Sequence, residues 1–299
     1  LVLDGRTDGR TRMAAGRERF RFSIDRGGTF TDVYAEVPAW CAAAGPRVLK
    51  LLSEDPANYE NAPLEGIRRV LEEARGVRLA RGEPVDASEI EWIRMGTTVA
   101  TNGLLEREGS KFALVATEGF GDALEIGTQA RPRIFDMTAK KLPPLYETVV
   151  EASERVVVES KRLVEQRALD VERLRRDLVE ARRRDEGLDG VAIAFVHSYA
   201  SPEHELLAAE VAREVGFSQI SVSSSLLPMA RLVPRGQTAC VDAYLTPLIS
   251  AYLESFLLGF KEPEAVLEKV LFMQSDGGLV RAAQFHGFRA VLSGPAGGG

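Results

Sequence analysis

The chain has 299 residues, of which 45% are hydrophobic and 27% charged, so it is long enough to bury the core of about two domains. Lys and Arg number 38 against 44 Asp and Glu, and the net charge of -6 argues against a general affinity for nucleic acid or an anionic membrane surface. Two cysteines, Cys41 and Cys240, are too few for a disulfide framework or a four-ligand zinc site, which favours a reducing cytoplasm. No apolar run of about 18 residues is present, so we expect no membrane span.

Both ends of the sequence carry patterns that are unusual for a complete protein. Residues 1–19 are rich in charge and glycine and lack the apolar block of a signal peptide, so we expect this stretch to be disordered or an upstream artefact, with Met13 as an alternative start. The last residues stop inside a glycine loop, and we expect the chain to be the front piece of a longer protein. Serines and a proline near residue 228 predict a boundary between a domain at 20–227 and an incomplete one at 228–299.

Hydrophobic periodicity predicts strand hairpins followed by alternating strands and helices. The predicted strands are Phe20–Ile24, Val33–Val37, Val48–Leu52, Trp92–Met95, Phe112–Ala116, strands within Thr148–Glu159, Val191–Val196, Ile220–Ser223 and Val270–Met273. The predicted helices are Pro63–Arg75, Val99–Glu108, Gly119–Ile126, Leu169–Arg184, a helix capped by Ser201, and Gly236–Phe260 with a kink at Pro247. This order predicts an α/β fold with a mixed sheet flanked by helices.

The strongest functional signal is the sequence from Asp25 to Asp32 on the turn between the first two strands. Gly27 and Gly28 can adopt conformations that aim their amides into one concavity and bind an anion. Hydroxyls of Thr29 and Thr31 add donors to the same rim, and Asp32 holds the turn or positions water. An ordinary glycine hairpin is the alternative, but the added Asp and Thr residues favour phosphate binding.

Asp25 is the candidate metal ligand of this turn and a weak catalytic candidate. A carboxylate beside phosphates would repel them, so we expect a divalent cation or its waters to lie between the two. Mg²⁺ prefers oxygen ligands and retains water, which makes it the first choice.

Two further glycine loops are weaker candidates for nucleotide contacts. The first, Asp276-Gly277-Gly278, follows an apolar strand, and Asp276 is also a weak catalytic candidate. The second contains Ser293, Gly294 and Gly297. A bare turn is the alternative for both loops.

Small polar and basic residues supply weak candidates for substrate contacts. Thr97, Thr98 and Asn102 cluster at a strand-to-helix junction, where a hydroxyl cap of the helix is the alternative. Arg131 can form a bidentate pair with a substrate carboxylate, although an exposed loop arginine is the favoured interpretation. His197 ends a predicted strand and is a weak catalytic candidate, for which a structural histidine is the better interpretation.

At these residues the sequence resembles the hydantoinase A/5-oxoprolinase family within the actin/Hsp70/sugar-kinase ATPase superfamily. Asp25–Asp32 resembles the first phosphate-binding turn of that superfamily, and the similarity runs through nearly the whole chain from about Phe20. Further segments resemble the ATP-dependent 5-oxoprolinases within the family. These segments are Lys50–Tyr59, Glu65–Arg69, Arg94–Asn102 and Pro234–Gly236, whereas Asp242–Pro247 and Ser293–Gly298 resemble the family more broadly.

The resemblance implies an actin-like, ribonuclease H-like fold and an enzyme that uses ATP and Mg²⁺. The implied reaction opens the small-molecule substrate 5-oxo-L-proline to L-glutamate, with phosphoryl transfer to the amide oxygen before water adds to the carbon. In this family a second lobe carries its own Asp-Gly-Gly-Thr turn, and a hydantoinase B-like region follows. Neither is in the sequence, so we expect these 299 residues alone to show little or no turnover, and the complete protein to form a homo-oligomer.

Two alternatives stay open from the sequence. One is a related hydantoinase or carboxylase subunit that uses the same nucleotide chemistry on another substrate. The other is a non-catalytic ATP-binding module, which would bind nucleotide without responding to 5-oxoproline or hydantoins. The residues do not identify a base that activates water.

Overall fold

The computed structural model describes residues 18–128, 141–160 and 162–297. The strands are β1 (Phe20–Arg26), β2 (Phe30–Val37), β3 (Gly45–Leu52), β4 (Ile90–Thr97), β5 (Phe112–Thr117), β6 (Thr148–Ala152), β7 (Arg155–Glu159), β8 (Arg162–Arg167), β9 (Gly190–Ala194), β10 (Gln219–Val222), β11 (Val270–Met273) and β12 (Leu279–Arg281). The helices are α1 (Ala62–Arg75), α2 (Val99–Leu105), α3 (Ala123–Ile126), α4 (Val171–Arg184), α5 (Glu203–Val215), α6 (Ser223–Leu226), α7 (Leu232–Leu257), α8 (Pro263–Leu267), α9 (Gly287–Ala290) and α10 (Ser293–Gly297). A 3-10 turn at Ala282–Gln284 precedes α9.

Two sheets and one hairpin contain these strands. The larger sheet has the order β12-β11-β4-β1-β2-β3 and is mixed, because β1, β4 and β11 run parallel while their outer neighbours run antiparallel. The smaller sheet, β10-β9-β5-β6, is parallel throughout. The predicted α/β fold with a mixed sheet and flanking helices is confirmed.

The long helix α7 joins the cores of the two sheets. Its buried residues, among them Ala239, Ala243 and Leu245, pack in one cluster with Phe22 of the larger sheet and Leu114 of the smaller one. The opposite face of the smaller sheet packs against α4 and α5 in a second cluster. Among the described residues, no helix combines the length and apolar character needed to cross a bilayer.

Sequence periodicity locates most of these elements and misses those without an apolar face. Every residue of β8 is exposed, so its sequence carries no alternation of buried and exposed positions to detect. Helix α7 begins at Leu232, four residues before the predicted start at Gly236, and continues through Pro247.

A buried ion pair anchors the start of α7. Arg235 is fully buried, and its guanidinium lies 3.2 Å from the carboxylate of Glu205 and donates to the carbonyl oxygen of Phe195 at 2.7 Å. The same guanidinium donates to the hydroxyls of Ser198 and Ser223. Because these partners follow β9 and β10 or lie on α5, the network fixes α7 against the carboxyl edge of the smaller sheet.

Replacing Arg235 with alanine should lower the free energy of unfolding by about 3–5 kcal/mol, because the Glu205 carboxylate is then buried without its partner. Urea unfolding followed by circular dichroism measures this change. The matched control is Arg231→Ala, an exposed position that precedes the same helix, which should change the free energy by less than about 0.5 kcal/mol. Equal effects of the two substitutions would contradict the proposed importance of the buried network.

Candidate functional site

The turn between β1 and β2 is short and closed by one backbone hydrogen bond. Arg26 pairs with Thr31 across the hairpin, and the amide of Gly27 donates to the carbonyl oxygen of Phe30 at 2.9 Å. A Cβ atom on Gly27 would lie 3.0 Å from that same oxygen, so the turn leaves little room for a side chain. The Gly27 amide, which the sequence predicts as an anion donor, is therefore already paired within the turn.

The next two amides of the turn remain available. Gly28 and Thr29 are exposed at its tip, and their amides donate to no acceptor among the described residues. Adjacent amides without partners on a glycine turn are the arrangement that binds a phosphate oxygen. The amides that remain free are thus those of Gly28 and Thr29, whereas the sequence predicts those of Gly27 and Gly28.

Thr31 supports the turn from beneath and does not line its rim. Its side chain is fully buried, with its hydroxyl 3.0 Å from that of Ser53, which in turn donates to the carbonyl oxygen of Gly27 at 2.7 Å. The amide of Ser53 also donates to the carbonyl oxygen of Thr29 at 2.9 Å. The sequence predicts that Thr31 lines the rim, but its side chain points into the core, because inward positions of β2 alternate from Thr31 through Val33. The sequence pattern does not mark Ser53, which follows β3.

Asp25, near the end of β1, carries the least satisfied carboxylate of the region. Its Oδ1 atom is buried and has no hydrogen-bond partner. Burial raises the pKa of this carboxyl group, and the charge of Asp32, which lies directly across the hairpin, raises it further. Asp32 itself is exposed and accepts hydrogen bonds from the Lys50 ammonium at 3.0 and 3.1 Å. An unpaired, partly desolvated carboxylate beside free amides is suited to hold a cation.

The carboxyl ends of three parallel strands meet at this edge of the larger sheet. On β4, Gly96 lies opposite Asp25 in the register and presents no side chain. The amide of Thr98 donates to the carbonyl oxygen of Arg26 at 3.0 Å, and the side-chain nitrogen of Asn102 lies 3.5 Å from the position of a Cβ atom on Gly28. The fold therefore places Thr98 and Asn102 beside the turn.

Two predicted contact residues at this edge have their hydroxyls engaged in packing. Thr97 is fully buried, and its hydroxyl accepts a hydrogen bond from the amide of Val99 at 3.2 Å. Ser293 is also buried and donates to the carbonyl oxygen of Thr97 at 2.7 Å. A Cβ atom on Gly294 would lie 2.6 Å from the Thr98 methyl carbon, so this glycine permits close contact between α10 and β4. The hydroxyls of Thr97 and Ser293 thus already have partners within the protein, and Gly297 ends α10.

The loop at Asp276 is a self-contained hairpin turn. The amide of Gly277 donates to the carbonyl oxygen of Gln274 at 3.0 Å, and the amide of Gly278 donates to the Asp276 carboxylate at 2.9 Å. In the predicted nucleotide loop of Asp276, Gly277 and Gly278, both glycine amides are thus already paired within the turn. The turn instead joins β11 to the short strand β12.

His197 lies apart from the strand ends just described. It follows β9 of the smaller sheet with a φ of 62°, and its carbonyl oxygen accepts the amides of Ala200 and Ser201. No hydrogen bond or ion pair of its imidazole joins it to the Asp25 turn in the described ranges, and its backbone role fits the structural interpretation. Arg131 lies outside the described residues.

A metal ion at this edge of the larger sheet would have few protein ligands. Within residues 18–128, 141–160 and 162–297, no three His, Cys, Asp or Glu side chains cluster to hold a metal ion. Mg²⁺ is commonly held by one or two carboxylates together with waters and substrate phosphates. Asp25, with its unpaired oxygen, fits that pattern.

Comparison with protein families accounts for nearly the whole of the described chain. Residues 21–216 match the hydantoinase/oxoprolinase N-terminal region, and residues 235–299 match the hydantoinase/oxoprolinase family. The chain belongs to the hydantoinase/oxoprolinase family. The family resemblance inferred from the Asp25 turn is therefore confirmed.

Individual relatives are much longer than this chain. This chain is 50% identical to 5-oxoprolinase 1 of Arabidopsis thaliana over 94% of the chain. It is 43% identical to 5-oxoprolinase of Saccharomyces cerevisiae over 93% of the chain. The alignments span only 23% of each of these relatives.

Solved structures of two related enzymes share the fold. The ATP-dependent caprolactamase from Pseudomonas jessenii superposes with a TM-score of 0.72 at 26% identity, covering 92% of this chain and 39% of that one. The nucleotide-free acetone carboxylase superposes with a TM-score of 0.70 at 23% identity, covering 94% and 40%, and it supports the fold alone.

Replacing Asp25 with asparagine should raise the melting temperature of the metal-free chain at neutral pH. The raised pKa of Asp25 means that its charged form destabilises the folded state, a cost that is present above the folded pKa and vanishes as pH falls toward the ordinary value of about 3.9. Thermal unfolding in EDTA between pH 8 and pH 4 measures the difference, which should shrink as pH falls.

The matched control is Asp177→Asn on the exposed surface of α4, where the side chain makes only a 3.6 Å contact with Arg173. It should leave the melting temperature nearly unchanged. A lower melting temperature for Asp25→Asn than for the wild type at pH 8 would show that the carboxylate has a stabilising partner.

Proposed function

We propose that this chain is the nucleotide-binding front part of an ATP-dependent 5-oxoprolinase, which opens 5-oxo-L-proline to L-glutamate as ATP is hydrolysed. The observation that carries the proposal is the unpaired Asp25 carboxylate beside the free amides of Gly28 and Thr29. The 50% identity to 5-oxoprolinase 1 of Arabidopsis thaliana supports 5-oxo-L-proline as the substrate. The structurally similar caprolactamase is named as an ATP-dependent enzyme, which supports ATP as the nucleotide.

The chemistry of the site follows from its residues. ATP with Mg²⁺ would supply a phosphoryl group to the amide oxygen of the lactam, which would make the carbonyl carbon a good electrophile for water. Ring opening then breaks the C–N bond as the nitrogen takes up a proton, and phosphate leaves with the formation of the carboxylate. The amides of Gly28 and Thr29 would donate to phosphate oxygens, and Asp25 would hold Mg²⁺ directly or through water. Ser53 and Thr31 keep the turn in shape from below, and Asn102 borders it.

The complete protein would supply the remaining parts. A second Asp-Gly-Gly-Thr turn and a hydantoinase B-like region lie beyond the matched segment in this proposal, and the complete protein would assemble as a homo-oligomer. Both cysteines of the chain, Cys41 and Cys240, are buried and free, which fits the proposed cytoplasmic location.

The first test is ADP release by the complete protein, coupled to a spectroscopic readout, with 5-oxo-L-proline, hydantoins and caprolactam compared as substrates. We expect 5-oxo-L-proline to stimulate ADP release most strongly. Stimulation by a hydantoin instead would support a hydantoinase. Nucleotide binding without stimulation by any of these compounds would support a non-catalytic module, and either result would contradict the proposal.

The second test is the affinity of the complete protein for ATP. Asp25→Asn should weaken Mg²⁺-dependent ATP binding by about tenfold or more, because the variant loses a charged ligand for the cation. Isothermal titration with and without Mg²⁺ measures the effect, and Asp177→Asn serves as the charge-matched control. Unchanged Mg²⁺-dependent affinity of Asp25→Asn would place the metal elsewhere.

A further inference from the structure

A cavity of about 230 Å³ lies beyond the carboxyl end of β11 and is not used by the proposed nucleotide contacts. Its walls come from α6, from the β11–β12 hairpin with the turn that follows it, and from α9. The lining residues are Ser225, Leu226, Gln274, Val280, Gln284, His286, Phe288 and Arg289. Its volume suits a molecule smaller than the ligands of typical sites of about 300–1,000 Å³.

The charge of this cavity favours an anion. The described residues that line it include no aspartate or glutamate, although the whole chain has a net charge of -6. Arg289 supplies one positive charge and makes no ion pair with any described residue. His286 adds an imidazole whose Nδ1 atom lies 3.7 Å from the Asp242 carboxylate.

Arg289 is held in place by its surroundings. Its guanidinium donates to the side-chain oxygen of Gln274 at 2.9 Å, and Gln274 is itself only 8% exposed. The guanidinium also lies 5.4 Å from the ring centroid of Phe288. The carbonyl oxygen of Arg289 accepts the amide and the hydroxyl of Ser275 at 2.8 and 2.7 Å. Most of its guanidinium N–H donors remain available. The planar guanidinium can donate two parallel hydrogen bonds to the two oxygens of a carboxylate.

The position of the cavity connects it with the nucleotide turn. Gln274 follows β11, and β11 is separated from β1 only by β4. Neighbouring strands lie about 4.8 Å apart, so the ends of β11 and β1 are about 10 Å apart. The strand order therefore places the Gln274 side of the cavity and the Asp25 turn at the same edge of the larger sheet.

We propose that this cavity binds a small cyclic amide that carries a carboxylate, with Arg289 holding the carboxylate and Leu226, Val280 and Phe288 packing against the ring. The apolar lining favours a compact organic acid over free phosphate. This inference rests on the proposed function, because 5-oxo-L-proline has this chemistry.

The test compares Arg289→Gln with Arg281→Gln in the complete protein. Arg281 is exposed on β12, pairs with Glu268 at 2.8 Å and does not line the cavity. Arg289→Gln should raise the KM for 5-oxo-L-proline by about 10- to 100-fold and leave the affinity for Mg²⁺ and ATP unchanged. Arg281→Gln should change neither quantity. Binding of pyrrolidin-2-one, the same ring without a carboxylate, should be equal in all three proteins.

Each outcome decides between the two proposals. If the wild type turns over 5-oxo-L-proline and Arg289→Gln retains its KM, the cavity is not the carboxylate site, while the proposed function stands. If Arg289→Gln weakens ATP binding instead, Arg289 contacts the nucleotide and the inference is wrong. If the wild type shows no response to 5-oxo-L-proline, both proposals fail. If Arg289→Gln does not fold, Arg289→Lys is the second variant. It keeps the positive charge but cannot form two parallel hydrogen bonds to a carboxylate, so it should still raise the KM for 5-oxo-L-proline.

Discussion

The carboxylate of Asp25 is the constraint on which this site depends. One of its oxygens is buried without a partner, and a second carboxylate, Asp32, lies across the hairpin. A charge in such a position lowers stability unless something outside the described residues compensates it. A cation that bridges Asp25 to an anion on the amides of Gly28 and Thr29 would compensate both groups. These two features support the proposed role of the turn in binding a nucleotide and a cation.

The rest of the fold holds this turn rigid at the edge of a sheet. Ser53 and Thr31 hold it from beneath through buried hydroxyls, and β4 flanks it through Thr98. Helix α7 then joins the larger sheet to the smaller one, and the Arg235 network fixes the start of that helix. The cavity beside Arg289 opens where the elements of the two sheets meet. Binding groups are thus held by strand ends and packed helices, which supports precise positioning.

Local patterns in the sequence are sufficient to predict the turn. They do not show which of its amides are free and which are paired within the protein. Two adjacent glycines between alternating strands predict the hairpin and its exposed tip. The alternation from Val33 also predicts that Thr31 points inward, so its burial could have been read from the sequence. The pairing of the Gly27 amide depends on the register with Phe30, and the Arg235 network joins residues up to 40 positions apart. Periodicity carries no information about such distant partners.

The most direct measurement is a structure of the complete protein with Mg²⁺ and a non-hydrolysable ATP analogue. The account predicts phosphate oxygens within hydrogen-bonding distance of the amides of Gly28 and Thr29, with Mg²⁺ joined to Asp25 directly or through one water. A nucleotide bound at another edge of the sheet, with the Asp25 carboxylate still unpaired, would contradict it.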